Sequence, residues 1–168
     1  MATVTLKGNT VRLSGNLPKV GNTAPEFTLV DKDLQDRHLK DFGNKRKILY
    51  IVPSLDTAVC SLSTKKFYEN VQKKPELTLI VASADLPFAQ KRFCSAEQLD
   101  KANTLSMLRS KDFAKDYGVL IEDSPLAGLC TRAVLVLDKD NKVIYTELVK
   151  EISQEPNYDK VLEAALTS

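Results

Sequence analysis

Two short apolar runs constrain this chain more than any other feature: KILYIV at 47–52 and LTLIVASA at 77–84. Both are too short for an ordinary helix, rich in β-formers and almost free of polar interruptions. Such runs read as buried central strands of a sheet whose faces are covered by helices. The intervening sequence agrees. Pro53 stops the first strand, and Ser54, Asp56 and Thr57 are helix-starting residue types. A helix is therefore expected from Ala58 to Lys73, with Val59, Leu62, Phe67 and Val71 as its apolar positions. PFAQKRFCSAEQL, with Pro87 in its first turn, reads as a second helix. TLSML reads as a short strand, and KDFAKDYG as a short helix closed by Gly118. TRAVLVLD and KVIYTELV read as strands joined through Lys139-Asp140-Asn141, and NYDKVLEAALT as a closing amphipathic helix.

At the other end, TVTLK and TVRLS flank Gly8-Asn9 and suggest a β-hairpin within residues 1–16. An irregular Pro- and Gly-punctuated segment then leads to a short strand near FTLV. The expectation is one α/β domain over 1–168, with a central mixed β-sheet flanked by helices and an N-terminal β-hairpin.

Composition removes several function classes. Twenty-four basic and 22 acidic side chains give a net charge of +2, so no electrostatic case for nucleic acid arises. Basic clusters such as Lys45-Arg46-Lys47 and Lys65-Lys66 read as solvated faces. No apolar run approaches the roughly 20 residues that span a bilayer. The opening MATVTLKGNTVRLSGN has neither the basic patch nor the apolar stretch of a signal peptide, which points to the cytoplasm. The single histidine, His38, lies in a polar stretch that reads as an exposed strand or turn, away from catalysis.

Three cysteines remain: Cys60, Cys94 and Cys130. Their spacings match no zinc pattern, and three is too few for a disulfide scaffold. They are either inert buried thiols or redox-active ones. Cys60 stands out by its place. It lies just past the junction of the first central strand and its helix, where unpaired N–H groups and the helix dipole favour a thiolate. Thr57, one turn earlier, is either a helix cap or a hydroxyl that serves the sulfur. Positions 57 and 63 are Thr and Ser, so Cys60 belongs to no C-x-x-C pair of the disulfide reductases.

The run Pro53-Ser54-Leu55-Asp56-Thr57-Ala58-Val59-Cys60 has the form P-x-x-x-T-x-x-C and resembles the active-site signature of the peroxiredoxins. APEFTL at 24–29, SADLPFAQ at 83–90 with Arg92-Phe93-Cys94, and TRAV at 131–134 resemble the bacterial thiol peroxidase branch, and the likeness covers essentially the whole chain. The resemblance implies a thioredoxin-like fold and a peroxidase acting on hydrogen peroxide or organic hydroperoxides without a cofactor or metal. It implies that Cys60 is the peroxidatic cysteine, Thr57 the hydroxyl that binds the peroxide, Arg132 the arginine that holds the thiolate, and Pro53 the shielding proline. Cys94 would be the resolving cysteine of an intramolecular disulfide, thioredoxin the reductant, and a homodimer the assembly. Cys130 lies outside this pattern and reads as packing, or as an off-pathway disulfide partner, two residues from Arg132 and on the same side of a strand. A non-enzymatic peroxide sensor on the same fold is the alternative.

Overall fold

The computed structural model describes residues 2–167. Strands β1 (Thr3–Leu6) and β2 (Asn9–Arg12) form the N-terminal hairpin. Its turn is Lys7-Gly8, at φ 50° and 84°, one residue earlier than the sequence suggested. Two left-handed residues at the turn match the twist of the strands, and Leu6 pairs with Asn9.

The main sheet has seven strands: β3 (Thr28–Asp31), β4 (Asp36–His38), β5 (Arg46–Ile51), β6 (Leu77–Ser83), β7 (Asn103–Ser106), β8 (Ala133–Leu137) and β9 (Val143–Leu148). Their order is β4-β3-β7-β6-β5-β8-β9. β5, β6 and β7 are parallel neighbours, while β8, β9, β3 and β4 join antiparallel. The helices are α1 (Ala58–Gln72), α2 (Pro87–Ala96), α3 (Asp112–Asp116) and α4 (Tyr158–Thr167). Among the described residues no helix is long and apolar enough to cross a membrane.

The continuous apolar runs are explained by the two-residue period of a strand. From β5 onward Ile48, Tyr50 and Val52 enter one core cluster with Phe67 and Val71 of α1 and Val161 and Ala165 of α4. Leu49 and Ile51 enter the opposite cluster with Phe113, Ala114 and Tyr117 of the α3 region. β6 and β8 divide in the same way, Val81, Val134 and Val136 to the first cluster and Ile80, Ala82 and Leu135 to the second.

Two expectations change. The buried face of α1 is Cys60, Ser63, Thr64, Phe67 and Val71, whereas Leu62 is 46% exposed and Val59 half-buried. An apolar template misses this face because its first turns are made of small polar side chains. Lys47 is also buried, not solvated; its Nζ donates to the carbonyls of Gly43 and Lys45, both at 2.9 Å. Burial pushes its pKa down, against the pull of Asp138 and Asp140.

Gly118 ends the α3 segment at φ 69°, and a Cβ there would lie 2.2 Å from the backbone oxygen of Asn16. Gly118→Ala is therefore expected to cost roughly 2–4 kcal/mol in urea unfolding, from left-handed strain plus overpacking. The hairpin is tied down by Glu151, whose carboxylate accepts from Thr5 Oγ1, the Gly8 N–H and both donors of Ser153. The Ser153 donors, with Gly8, hold its pKa down at about 2 from an ordinary 4.5. A carboxyl lowered on folding stabilises above its unfolded pKa, and the contribution is lost as pH falls through the folded value. Urea midpoints of wild type and Glu151→Gln should thus converge as pH falls from about 5 to about 2.

Candidate active site

The site begins where β5 gives out. Val52 still bonds the Ala82 carbonyl at 3.0 Å, and the buried Pro53 then ends the strand because it has no N–H to offer. Ser54 to Thr57 turn, with the Thr57 N–H on the Ser54 carbonyl at 3.2 Å. Thr57 is the N-cap residue, with extended φ −96° and ψ 151°, so Cys60 becomes the third residue of α1. Its side chain points inward, fully buried.

Facing it is Arg132, only 2% exposed and one residue before β8. Its Nη1 donates to Cys60 Sγ at 3.1 Å and to Tyr50 Oη at 2.8 Å, and its Nε donates to the Ile152 carbonyl at 3.1 Å. Tyr50 continues the network to Ser63 Oγ at 2.6 Å, and Ser63 donates to the Val59 carbonyl at 2.6 Å. Donor directions are consistent along the whole line: guanidinium to phenol, phenol to serine, serine to helix carbonyl. Chains of this kind polarise one another in the same sense.

The charges follow from the burial. Burial works against the Arg132 cation, but Tyr50 and Cys60 more than offset it, and its pKa is raised. Burial pushes the Tyr50 phenol up to about 12, with Arg132 and Ser63 pulling the other way. Tyr50 is a proton-bearing relay at neutral pH and no anion. Among the described residues no carboxylate forms an ion pair with Arg132.

The remaining predicted residues are placed as follows. Thr57 borders the site, but its Oγ1 donates to the Ser54 carbonyl at 3.0 Å rather than to the Cys60 sulfur. Cys94 lies on α2, 1% exposed, in a separate small cluster with Leu99 and Ala102, its Sγ 3.7 Å from Thr104 Oγ1. Burial raises its pKa, with the Thr104 hydrogen bond opposing. None of the three cysteines is in a disulfide. Cys130 does not share the side of Arg132: it belongs to the α3-side cluster and points its thiol at Met107 Sδ, 3.6 Å away. Burial pushes its pKa up to about 12. His38 sits on β4 at the far edge of the sheet, its Nδ1 3.0 Å from Thr28 Oγ1.

Sequence reasoning missed Tyr50 and Ser63. The available signals were a single polar-tipped residue in the run KILYIV and a serine one turn after Cys60. Outside the buried sulfur, a cleft of about 800 Å³ separates the start of α1 from α2, lined by Leu55, Thr57, Ser61, Asp85, Phe88 and Arg92 among others.

The Redoxin family profile matches residues 19–162. Thiol peroxidases of two Leptospira interrogans serovars, copenhageni and Lai, are each 50% identical over 167 residues, covering 98% of this chain and 98% of their own. A peroxiredoxin-like protein from Aquifex aeolicus superposes with TM-score 0.90 at 45% identity, covering 98% of this chain and 96% of its own. A thiol peroxidase from Chromobacterium violaceum also gives TM-score 0.90, at 29% identity over 96% of this chain and 93% of its own.

Tyr50→Phe removes one of the three acceptors of a buried guanidinium. Bonds to charged groups contribute about 1.5–3 kcal/mol, so a loss of that size is expected in urea unfolding. Tyr145→Phe, whose hydroxyl makes only a 3.4 Å bond to Glu147 in a half-buried setting, should change stability by less than about 0.5 kcal/mol.

Proposed function

Because this chain belongs to the redoxin family, in the thiol peroxidase branch of the peroxiredoxins, we propose that Cys60 is the sulfur that reduces a hydroperoxide and Arg132 its fixed counter-charge. The observation that carries this reading is the buried bond from Arg132 Nη1 to Cys60 Sγ, in a place with no paired carboxylate. A guanidinium taken out of water without an anion costs several kcal/mol. Tyr50 keeps its proton, and Glu155 reaches Arg132 only through its field, without an ion pair, so the anion we place in contact with the guanidinium is the Cys60 sulfur.

The thiolate attacks the terminal hydroxyl oxygen of the peroxide. The S–O bond forms as the O–O bond breaks, the sulfur keeps that hydroxyl as a sulfenic acid, and the other oxygen leaves as alkoxide or hydroxide and takes a proton from water. Arg132, the free N–H groups at the start of α1 and the Thr57 hydroxyl, once turned from Ser54, are the donors for the developing charge. Pro53 shields the sulfur from water. Cys94 then displaces the sulfenic hydroxyl as water and forms the Cys60–Cys94 disulfide, which thioredoxin reduces. Hydrogen peroxide and organic hydroperoxides are the substrates, and the working form is a homodimer.

Resolution requires motion. Cys60 is held by Arg132, and Cys94 lies buried in another cluster beside Thr104, where burial raises its pKa and works against an attacking thiolate, so Cys94 leaves its cluster to attack. One or both helix ends unwind in the cycle. Amide exchange should therefore rise around 57–62 and 90–96 on oxidation; equal protection in both forms would rule the motion out.

Cys60→Ser should abolish peroxide consumption. Arg132→Lys should slow the first step by about 10²–10³. Cys94→Ser should consume one equivalent of peroxide and stall as sulfenic acid, read by mass spectrometry. Normal turnover in Cys60→Ser would remove the assignment.

A further inference from the structure

The cleft between α1 and α2 is bridged at one end by a single carboxylate, Asp85. Its Oδ1 accepts from Ser54 Oγ at 2.6 Å, and its Oδ2 accepts from the Leu55 N–H at 2.8 Å and from Ser83 Oγ at 2.7 Å. Ser54 and Leu55 belong to the turn that leads into Cys60. Asp85 itself precedes α2, the helix that carries Cys94. Its backbone is fixed in turn: Ser106 Oγ on β7 donates to the Asp85 carbonyl, 2.5 Å. Gln90 of α2 donates to Ser83 Oγ at 3.1 Å and to the Leu105 carbonyl at 2.9 Å. One side chain therefore ties together the two segments that must separate and unwind if Cys60 and Cys94 are to meet.

From this we infer that Asp85 is a positioning residue that latches the peroxidatic turn to the start of α2 and sets the rate at which the Cys60 sulfenic acid is resolved. The inference rests on the proposed roles of Cys60 and Cys94. While the latch is closed, the Ser54–Thr57 turn holds Cys60 against Arg132, which serves the attack on peroxide. Opening it breaks the bonds to Ser54 and Leu55 and lets the first turn of α1 move. The step that follows is balanced within the chain: the Cys94 sulfur forms the S–S bond, the S–O bond of the sulfenic acid breaks, and the hydroxyl leaves as water with the Cys94 proton. A tight latch lengthens the life of the sulfenic acid, during which a second peroxide can take it to sulfinic acid. The hydrogen bonds of Asp85 thus divide the sulfenic acid between resolution and over-oxidation.

The experiment compares full-length wild type with Ser54→Ala and Asp85→Asn. Reduced protein is mixed with one equivalent of hydrogen peroxide, quenched at intervals and mapped by mass spectrometry for the Cys60–Cys94 disulfide. The sulfinic fraction is then measured across rising peroxide. Ser54→Ala removes the bond Ser54 donates to Asp85, together with the bond its Oγ accepts from the Asp56 N–H inside the turn, leaves the carboxylate its other two donors, and should form the disulfide about threefold to tenfold faster. Asp85→Asn, which opposes an amide to at least one donor, should be about tenfold or more faster, and both should show a lower sulfinic fraction than wild type. Leu39→Ala, a destabilising change in the cluster on the face of the sheet opposite Cys60, should leave the rate and the fraction unchanged. Wild-type rates in Ser54→Ala, or equal acceleration by Leu39→Ala, would overturn the latch. Absence of a Cys60–Cys94 disulfide in the wild type would instead remove the reading on which the latch rests.

Discussion

A guanidinium buried with no carboxylate in ion-pair contact among the described residues is the constraint from which the rest of the site follows. Arg132 directs its Nε and Nη1 donors to a backbone carbonyl, a phenol and a sulfur. The first two fix where the group sits, and neither supplies negative charge. A fixed cation of this kind favours any anion formed next to it, first on sulfur and then on the departing oxygen of a peroxide. An arginine suits the position better than a lysine, because its planar fork reaches two acceptors from one nitrogen while a second nitrogen is anchored elsewhere.

The line Arg132, Tyr50, Ser63, Val59 makes the cation's position depend on the helix that carries the nucleophile. Ser63 bonds a carbonyl in the first turn of α1, so the chain is complete only while that turn is wound. Unwinding it removes the last acceptor, then weakens the hold on Tyr50 and through it on Arg132. The charge environment of Cys60 is therefore coupled to one conformation of the helix start, and changes when that start opens.

Most of the framework was legible because strand physics is local. The runs 47–52 and 77–84 had to be buried on both faces, and the alternating division of their side chains between two clusters explains why neither face could be polar. The hairpin, the helix after Pro53 and the closing helix carried ordinary start and stop signals. The placement of Cys60 at the beginning of α1 followed from Pro53 and Thr57 in the same way. What stayed hidden was set by partners distant in the chain. Lys47 reads as a surface charge until its ammonium is seen closing two carbonyls. Ser63 reads as an exposed helix position until Tyr50 arrives from the neighbouring strand. Cys130 departs from the side of Arg132 because the chain enters β8 only at Ala133, so two-residue alternation does not extend back to it. Asp85 lay inside a motif recognised by resemblance, yet two of the three contacts its carboxylate accepts come from a turn some thirty residues earlier.

The distribution of stability follows the same division. β5 is central, paired with β6 on one side and β8 on the other, and all three are closed on both faces by apolar side chains, so their opening is tied to unfolding of the whole sheet. The starts of α1 and α2 rest on something different: short polar side chains, one carboxylate and a cleft that admits water. Ser63 and Thr64 occupy buried helix positions where leucine would add several times their apolar contact. A core packed that way would raise stability and lock Cys60 in place. In the cycle we propose, Cys60 serves two geometries, one against Arg132 and one against a sulfur that starts in another cluster, and a segment from the low-stability end of the molecule suits both. On that reading, rigidity in the sheet and looseness at the two helix mouths belong together: the strands hold the charge still while the sulfur moves.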